Sequence, residues 1–376
     1  MEIEKKKTEK EDTVNMSNLF PMLIIFSYSL IMNSVAPALK LFQSGYNISV
    51  GISSLIPLFS LIGTVLSNIF VGIYLNKLGL KRALLIGFGI TICGSLIIAF
   101  SNSLLFSLIG MLVFGFSSGF GFNSSTMLLA QNKNANFGFF HGAYGLGGIL
   151  APLFIQMAQN TMNNFKNVYF IYSVIFILLF AYTSTRLHVT PSAKAEAFKL
   201  SEIKYAFSNS TFMIFLTLLI LYSSAEIGTI NWAGNIMKEG IVTSATAYSI
   251  FWILFTLGRF FLSPITKLFK DLVSVNTIVM IILISLFVIT KNPLFFIIAG
   301  LFFGPLFPYI QQNAVGKIEK SHLPLFNGAT YAFTSLGGSI VSTIMGAFLG
   351  TVPVISYLLP IIVILAIFIL NRRVEN

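Results

Sequence analysis

The chain has 376 residues, of which 56% are hydrophobic and 9% charged, with 23 Lys and Arg against 12 Asp and Glu. That balance excludes an ordinary soluble domain, which carries roughly 25% charged residues and covers itself with polar surface. The basic residues stand singly or in small groups between apolar runs, so the formal charge of +11 reads as membrane topology and not as a nucleic-acid-binding face.

Residues 1–18 mix both charge signs and lack a small-residue cleavage site, which predicts a disordered cytosolic tail and no signal peptide. Beyond it, apolar runs fall near 19–40, 50–75, 83–101, 104–130, 137–158, 167–185, 211–236, 243–265, 272–290, 293–315, 324–350 and 352–370. A hydrocarbon core of about 30 Å needs roughly 20 apolar residues per helix, so the expectation is an all-α integral membrane protein of about twelve spans. The stretch 186–210 is long, basic and Pro-containing, and reads as a cytosolic linker between bundles at 19–185 and 211–370, with 371–376 as a second cytosolic tail. Eighteen Lys and Arg fall on the side of the two termini and four (Lys40, Lys166, Lys238, Lys291) on the other, which predicts cytosolic termini. Cys93 is the one cysteine, so neither an intramolecular disulfide nor a cysteine-ligated metal site is expected.

Polar residues inside the spans are the candidate functional set. Span one offers Asn33 and Pro37, and span four Asn123, each a buried polar group able to meet a solute. Span five opens with His141, followed by Gly142, Gly145, Gly147 and Gly148; small residues at this spacing let helices approach and slide. His141 reads either as a direct participant or as a helix-start histidine bonded to a backbone carbonyl. Glu226 is the acid deep inside a span, about 15 residues into the seventh and so roughly 22 Å along it. An ionisable group there costs at least ~2.5 kcal/mol and is retained where it faces a cavity or a partner. Asn231 and Trp232 continue that helix and suit a polyol, with an interfacial tryptophan belt as the alternative. Arg259 falls within span eight. Span ten carries Pro305 and Pro308 before Gln312, and Pro305 must break at least one backbone hydrogen bond.

The two halves echo each other. Phe140-His141-Gly142-Ala143 matches Phe326-Asn327-Gly328-Ala329, Leu146-Gly147-Gly148 matches Leu336-Gly337-Gly338, and Gly115 and Gly119 match Gly300 and Gly304. Such a register suggests a duplicated six-helix unit, the parallel repeat of a carrier that rocks two halves about a central site.

After span two, Gly72-Ile-Tyr-Leu-Asn76-Lys-Leu-Gly79-Leu-Lys81-Arg82 resembles the cytosolic loop signature of the major facilitator superfamily, Gly-x-x-x-Asp-Arg-x-Gly-Arg-Arg, with Asn76 in place of the family's aspartate. The segments FFHGAYGLGGILAP, AEIGTINW, FWILFTLGRF and GLFFGPLFP are similar to those of the fucose permease-like sugar/proton symporters. The resemblance implies the major facilitator fold, with two pseudo-symmetric six-helix bundles, and alternating access around a hexose-like solute. It also implies a gating role for Gly72, Asn76, Gly79, Arg82, Gly142, Gly145, Arg259 and Pro305, and proton coupling through acids in spans one and four. Here Asn33 and Asn123 stand in those spans, so either Glu226 alone couples protons or the chain is a uniporter. The alternative reading is an exporter of drugs or amphipathic metabolites, which 39 phenylalanines would also suit. HExxH, P-loop and paired-carboxylate patterns are missing from the sequence, so no enzyme activity and no cofactor are expected. The expected setting is the lipid bilayer of the cell membrane, as a monomer.

Overall fold

The computed structural model describes residues 19–131, 137–187, 204, 207–238, 240, 242–262, 271–319 and 322–375. The 1–18 tail and most of the expected 186–210 linker lie outside the described residues. The long helices are α1 (Leu19–Tyr46), α2 (Leu55–Leu78), α3 (Leu80–Ala99), α4 (Leu104–Ala130), α5 (Phe137–Met162), α6 (Val168–Arg186), α7 (Ser210–Ile236), α8 (Ser244–Phe260), α9 (Leu272–Thr290), α10 (Pro293–Lys317), α11 (Leu323–Leu349) and α12 (Pro353–Glu375). Among the described residues, 10 of these are long and apolar enough to cross a bilayer. The other two are α8, with 17 residues, and the glycine-rich α5. Residues 371–375, expected in a tail, instead continue α12. With twelve helices running alternately up and down, the start of α1 and the end of α12 fall on one face, the terminal face.

Local chemistry sets where the helices begin. Ser103, Asn209, Thr243 and Asp271 each accept from the backbone N–H three residues on, at the starts of α4, α7, α8 and α9. Asn292 caps α10 with Pro293 in its first turn, where a missing N–H is harmless. Gly79 turns the chain from α2 into α3 at φ 77°, a backbone region that a side chain would strain.

Glycine then decides which helices touch. In the first half α4 lies on α2, and a Cβ at Gly115 or Gly119 would collide with Ser60 O or Ser67 Oγ. In the second half α10 lies on α8 in the same way: a Cβ at Gly300 would come to 2.5 Å from Phe251 O, and one at Gly304 would overlap Phe255 O. The glycine pairs matched in sequence therefore serve the same contact, helix four on helix two, in each bundle. Gly147 packs on Ser29 of α1, and Gly337 on Ser224 of α7, which extends the repeat to helix five on helix one.

The bundles meet along two seams. On the terminal side of α5, Gly142, Gly145 and Gly148 face Phe260, Thr256 and Trp252 of α8. At the opposite face Gly346 of α11 packs against Ser54 and Trp232, and Gln43 of α1 accepts from Asn235 Nδ2 of α7 at 3.0 Å. Trp232 is fully buried, and its Nε1–H donates to Ser342 O of α11 at 2.7 Å, while Asn231 Nδ2 donates to Ser342 Oγ at 2.9 Å.

Two stability predictions follow from this packing. Gly115→Val should lower the thermal midpoint of the detergent-purified protein, because the overpacking costs about 1–3 kcal/mol, whereas Gly316→Ala, with open space around it, should leave the midpoint unchanged or raise it. Trp232→Phe should cost about 1–3 kcal/mol in the same assay by removing the buried donor to Ser342.

Candidate functional site

Helix α10 is broken at Gly304–Pro305, about 17 Å along its axis from Pro293. Proline has no N–H, so Pro305 leaves Leu301 O without its helical donor and Pro308 does the same to Gly304 O. At this depth water does not replace the missing donors, and unsatisfied backbone groups cost several kcal/mol. Three side chains from three other helices take up the carbonyls of the break. Asn276 Nδ2 of α9 donates to Phe302 O at 3.0 Å, the Tyr222 hydroxyl of α7 to Phe303 O at 2.9 Å, and Arg259 Nε of α8 to Gly304 O at 3.3 Å. The close approach of α8 to α10 through Gly258, Gly300 and Gly304 is what brings Arg259 within reach.

These groups converge on Glu226. Tyr222 lies one helical turn before Glu226 on the same face of α7, in the electrostatic field of both Glu226 and Arg259. The Arg259 guanidinium interacts electrostatically with Glu226 and is stacked 4.3 Å above the Phe255 ring. The same cation acts on His141 and Tyr144 of α5 and on Tyr331 of α11, and Tyr144 lies near Asn33 of α1. One cluster thus draws on both bundles.

Part of the cluster is solvent-accessible. Tyr331 leaves 40% of its surface accessible and His141 is exposed, although both lie in the field of Arg259 inside the bundle. Glu226, Arg259, Tyr144 and Asn33 are half-buried. Gln312, on the terminal part of α10, is exposed as well. Toward the opposite face the Gln43–Asn235 bond and the Gly346 contact join the two bundles.

Helix α1 is also interrupted, at Asn33–Ser34, four residues before Pro37; Ser34 Oγ donates to Leu30 O at 2.7 Å, and Asn33 Nδ2 donates back to Ser29 O at 3.0 Å and Ser29 Oγ at 2.9 Å. Helix α7 is opened just beyond Glu226, where the Tyr248 hydroxyl accepts from Gly234 N at 2.9 Å and donates to Ile230 O at 2.8 Å, entering one rung of the ladder.

The residues singled out from sequence therefore fall into groups. Glu226, Arg259, His141, Asn33 and the α10 break around Pro305 come together. Asn231 and Trp232 do not join them, since both are bonded to Ser342 on α11, and Trp232 is sealed from any solute in this structure. Asn123 joins α4 to α2, its amide donating to Asn68 Oδ1 at 2.9 Å and Gly119 O at 2.8 Å. Gly142 and Gly145 lie in the α5–α8 seam. Gly79 forms the turn from α2 to α3, and Arg82 is exposed at the start of α3 beside Lys81, whose Nζ donates to Ser184 O of α6 at 2.9 Å. The side chains of Gly72 and Asn76 lie outside the described residues. Sequence reasoning passed over Tyr222, Tyr144, Tyr331 and Asn276. Tyr222 could have been found at four residues from Glu226, and Asn276 as the amide in an otherwise apolar ninth span.

The fold and sequence have known counterparts. The chain superimposes on the nucleoside transporter NupG with a TM-score of 0.75 at 15% identity, covering 95% of this chain and 99% of that one. It superimposes on the Escherichia coli fucose:proton symporter FucP with a TM-score of 0.68, also at 15% identity, covering 96% and 98%. A protein TsgA homolog of Buchnera aphidicola subsp. Baizongia pistaciae is 25% identical over 243 residues, which span 62% of this chain and 60% of that relative. The sequence profile of the Major Facilitator Superfamily matches residues 21–342. With that match spanning most of a twelve-helix membrane chain, the protein belongs to the Major Facilitator Superfamily.

Proposed function

We propose that this transporter moves a small sugar or sugar-like solute by alternating access, driven by protons taken up at Glu226. The observation that carries the reading is the cluster itself: one carboxyl, one guanidinium, three tyrosines and an amide, contributed by both bundles and partly solvent-accessible. Hydroxyl-rich solutes are held by such convergent polar groups set among aromatic rings. The Tyr144 ring stands 6.2 Å from Trp252 and 5.9 Å from Phe122, an aromatic wall beside the polar groups. The fold likeness to a nucleoside transporter and to a fucose:proton symporter agrees with a solute of this size and polarity.

Glu226 takes the proton in this account because spans one and four carry Asn33 and Asn123 where acids would otherwise serve, and Asn33 is already bonded to Ser29. The terminal face is cytosolic, as the distribution of Lys and Arg implies. The structure then corresponds to the inward-open member of the cycle, closed at the outer face by Gln43, Asn235 and Gly346. In this reading the two bundles are 19–185 and 211–370, and rocking occurs along the α5–α8 and α2–α11 seams. The protein works as a monomer in the cell membrane.

Uptake into proteoliposomes tests this. Reconstituted protein should give saturable flux of a monosaccharide or polyol, with accumulation under an imposed proton gradient. Glu226→Gln should abolish accumulation while sparing solute exchange. The absence of saturable flux for every sugar and polyol removes the substrate class, and unchanged accumulation by Glu226→Gln removes the proton's site.

A further inference from the structure

We propose that Asn276, Tyr222 and Arg259 are positioning residues that set the break in α10, and that Arg259, bonded to Gly304 O and lying in the field of Glu226, makes the charge on Glu226 control the terminal half of that helix. This rests on the reading of Glu226 as the group that takes the proton.

Pro305 and Pro308 deprive α10 of two backbone donors, and side chains of other helices hold the last carbonyls before Pro305, from which the segment Leu306–Lys317 departs. Of the three ties, the one from Asn276 is neutral and its amide is buried, so protonation elsewhere leaves it unchanged. The other two belong to groups that also face Glu226. Glu226 is faced by Tyr222 on its own helix, Arg259 on α8 and Tyr144 on α5; Arg259 is faced in addition by His141 on α5 and Tyr331 on α11. A charged Glu226 pulls on Arg259 and competes with the Gly304 carbonyl for it. A proton on Glu226 removes that pull and leaves the guanidinium on the carbonyl, which tightens the break. The charge on one acid thereby reaches a helix to which it is not itself bonded.

Cysteine labelling reads this without a solute. Gln312, exposed on the terminal half of α10, is replaced by Cys in a Cys93→Ser background, and its reaction with a membrane-impermeant maleimide is measured from pH 5.5 to 8. Each rate is divided by that of the detergent-denatured protein at the same pH. The normalised rate should be severalfold slower at the acid end. Glu226→Gln and Arg259→Gln should each flatten the profile. Asn276→Leu should raise the rate at every pH and keep the slope, which separates holding the break from transmitting the charge. Pro308→Ala gives Gly304 O its own backbone donor and should flatten the profile with every charged residue in place, so the test does not depend on a charge variant folding. A flat profile in the parent, or a slope that survives in Glu226→Gln, Arg259→Gln or Pro308→Ala, overturns the proposal. A failure of sugar uptake leaves this readout standing, whereas a flat labelling profile with intact coupled uptake contradicts this proposal alone.

Discussion

Inside a bilayer a backbone carbonyl without a donor has no water to turn to, and this constraint organises the centre of the molecule. Two prolines interrupt α10; Arg259 of α8 takes Gly304 O, one of the carbonyls they orphan, and Asn276 of α9 and Tyr222 of α7 take the neighbouring Phe302 O and Phe303 O. Because the carbonyls must be satisfied, a guanidinium is fixed deep in an apolar bundle. Because a guanidinium is there, Glu226 can stand opposite it at a depth where an isolated carboxylate would be costly. The polar site is thus the by-product of a helix break repaired by side chains. Helix α1 is interrupted too, at Asn33–Ser34, where Ser34 Oγ of the same helix takes Leu30 O, and Tyr248 opens α7.

Glycine supplies the second organising principle. TM helices gain little from hydrophobic association in lipid, so close approach and dispersion contacts decide which surfaces pair. Within each bundle, glycines on the fourth helix lie against the backbone of the second, and this brings α8 near enough to α10 for Arg259 to reach Gly304. Between the bundles, glycines on α5 face the side chains of Phe260, Thr256 and Trp252.

The helical passes were legible in the sequence because apolar runs of this length admit no other structure in lipid. The duplication was legible too, since glycines that seat backbone against backbone leave a register that survives divergence. Glu226, Arg259 and Pro305 could each be picked out as anomalies in apolar spans, but their convergence could not, because it depends on crossings among three helices separated by many residues. Trp232 shows the converse. Its indole beside Asn231 read equally as a sugar platform and as an interfacial anchor, and only the position of Ser342, 110 residues away, reveals that the N–H serves packing. Asn276 was hidden by its blandness, one amide in a run of aliphatic residues whose partner carbonyl carries no signature in sequence.

The account stands on Glu226 and Arg259 forming a solute site, and the measurement that tests this most directly is thermal stabilisation of the purified protein against sugars, polyols, nucleosides and amphipathic cations. A bound ligand stabilises by RT ln(1 + [L]/Kd), about 2.7 kcal/mol at a hundredfold excess over Kd. The account predicts stabilisation by a hydroxyl-rich solute that is lost in Glu226→Gln and Arg259→Gln and kept in Trp232→Phe. Stabilisation by amphipathic cations alone, or by a sugar equally well in all three variants, would contradict it.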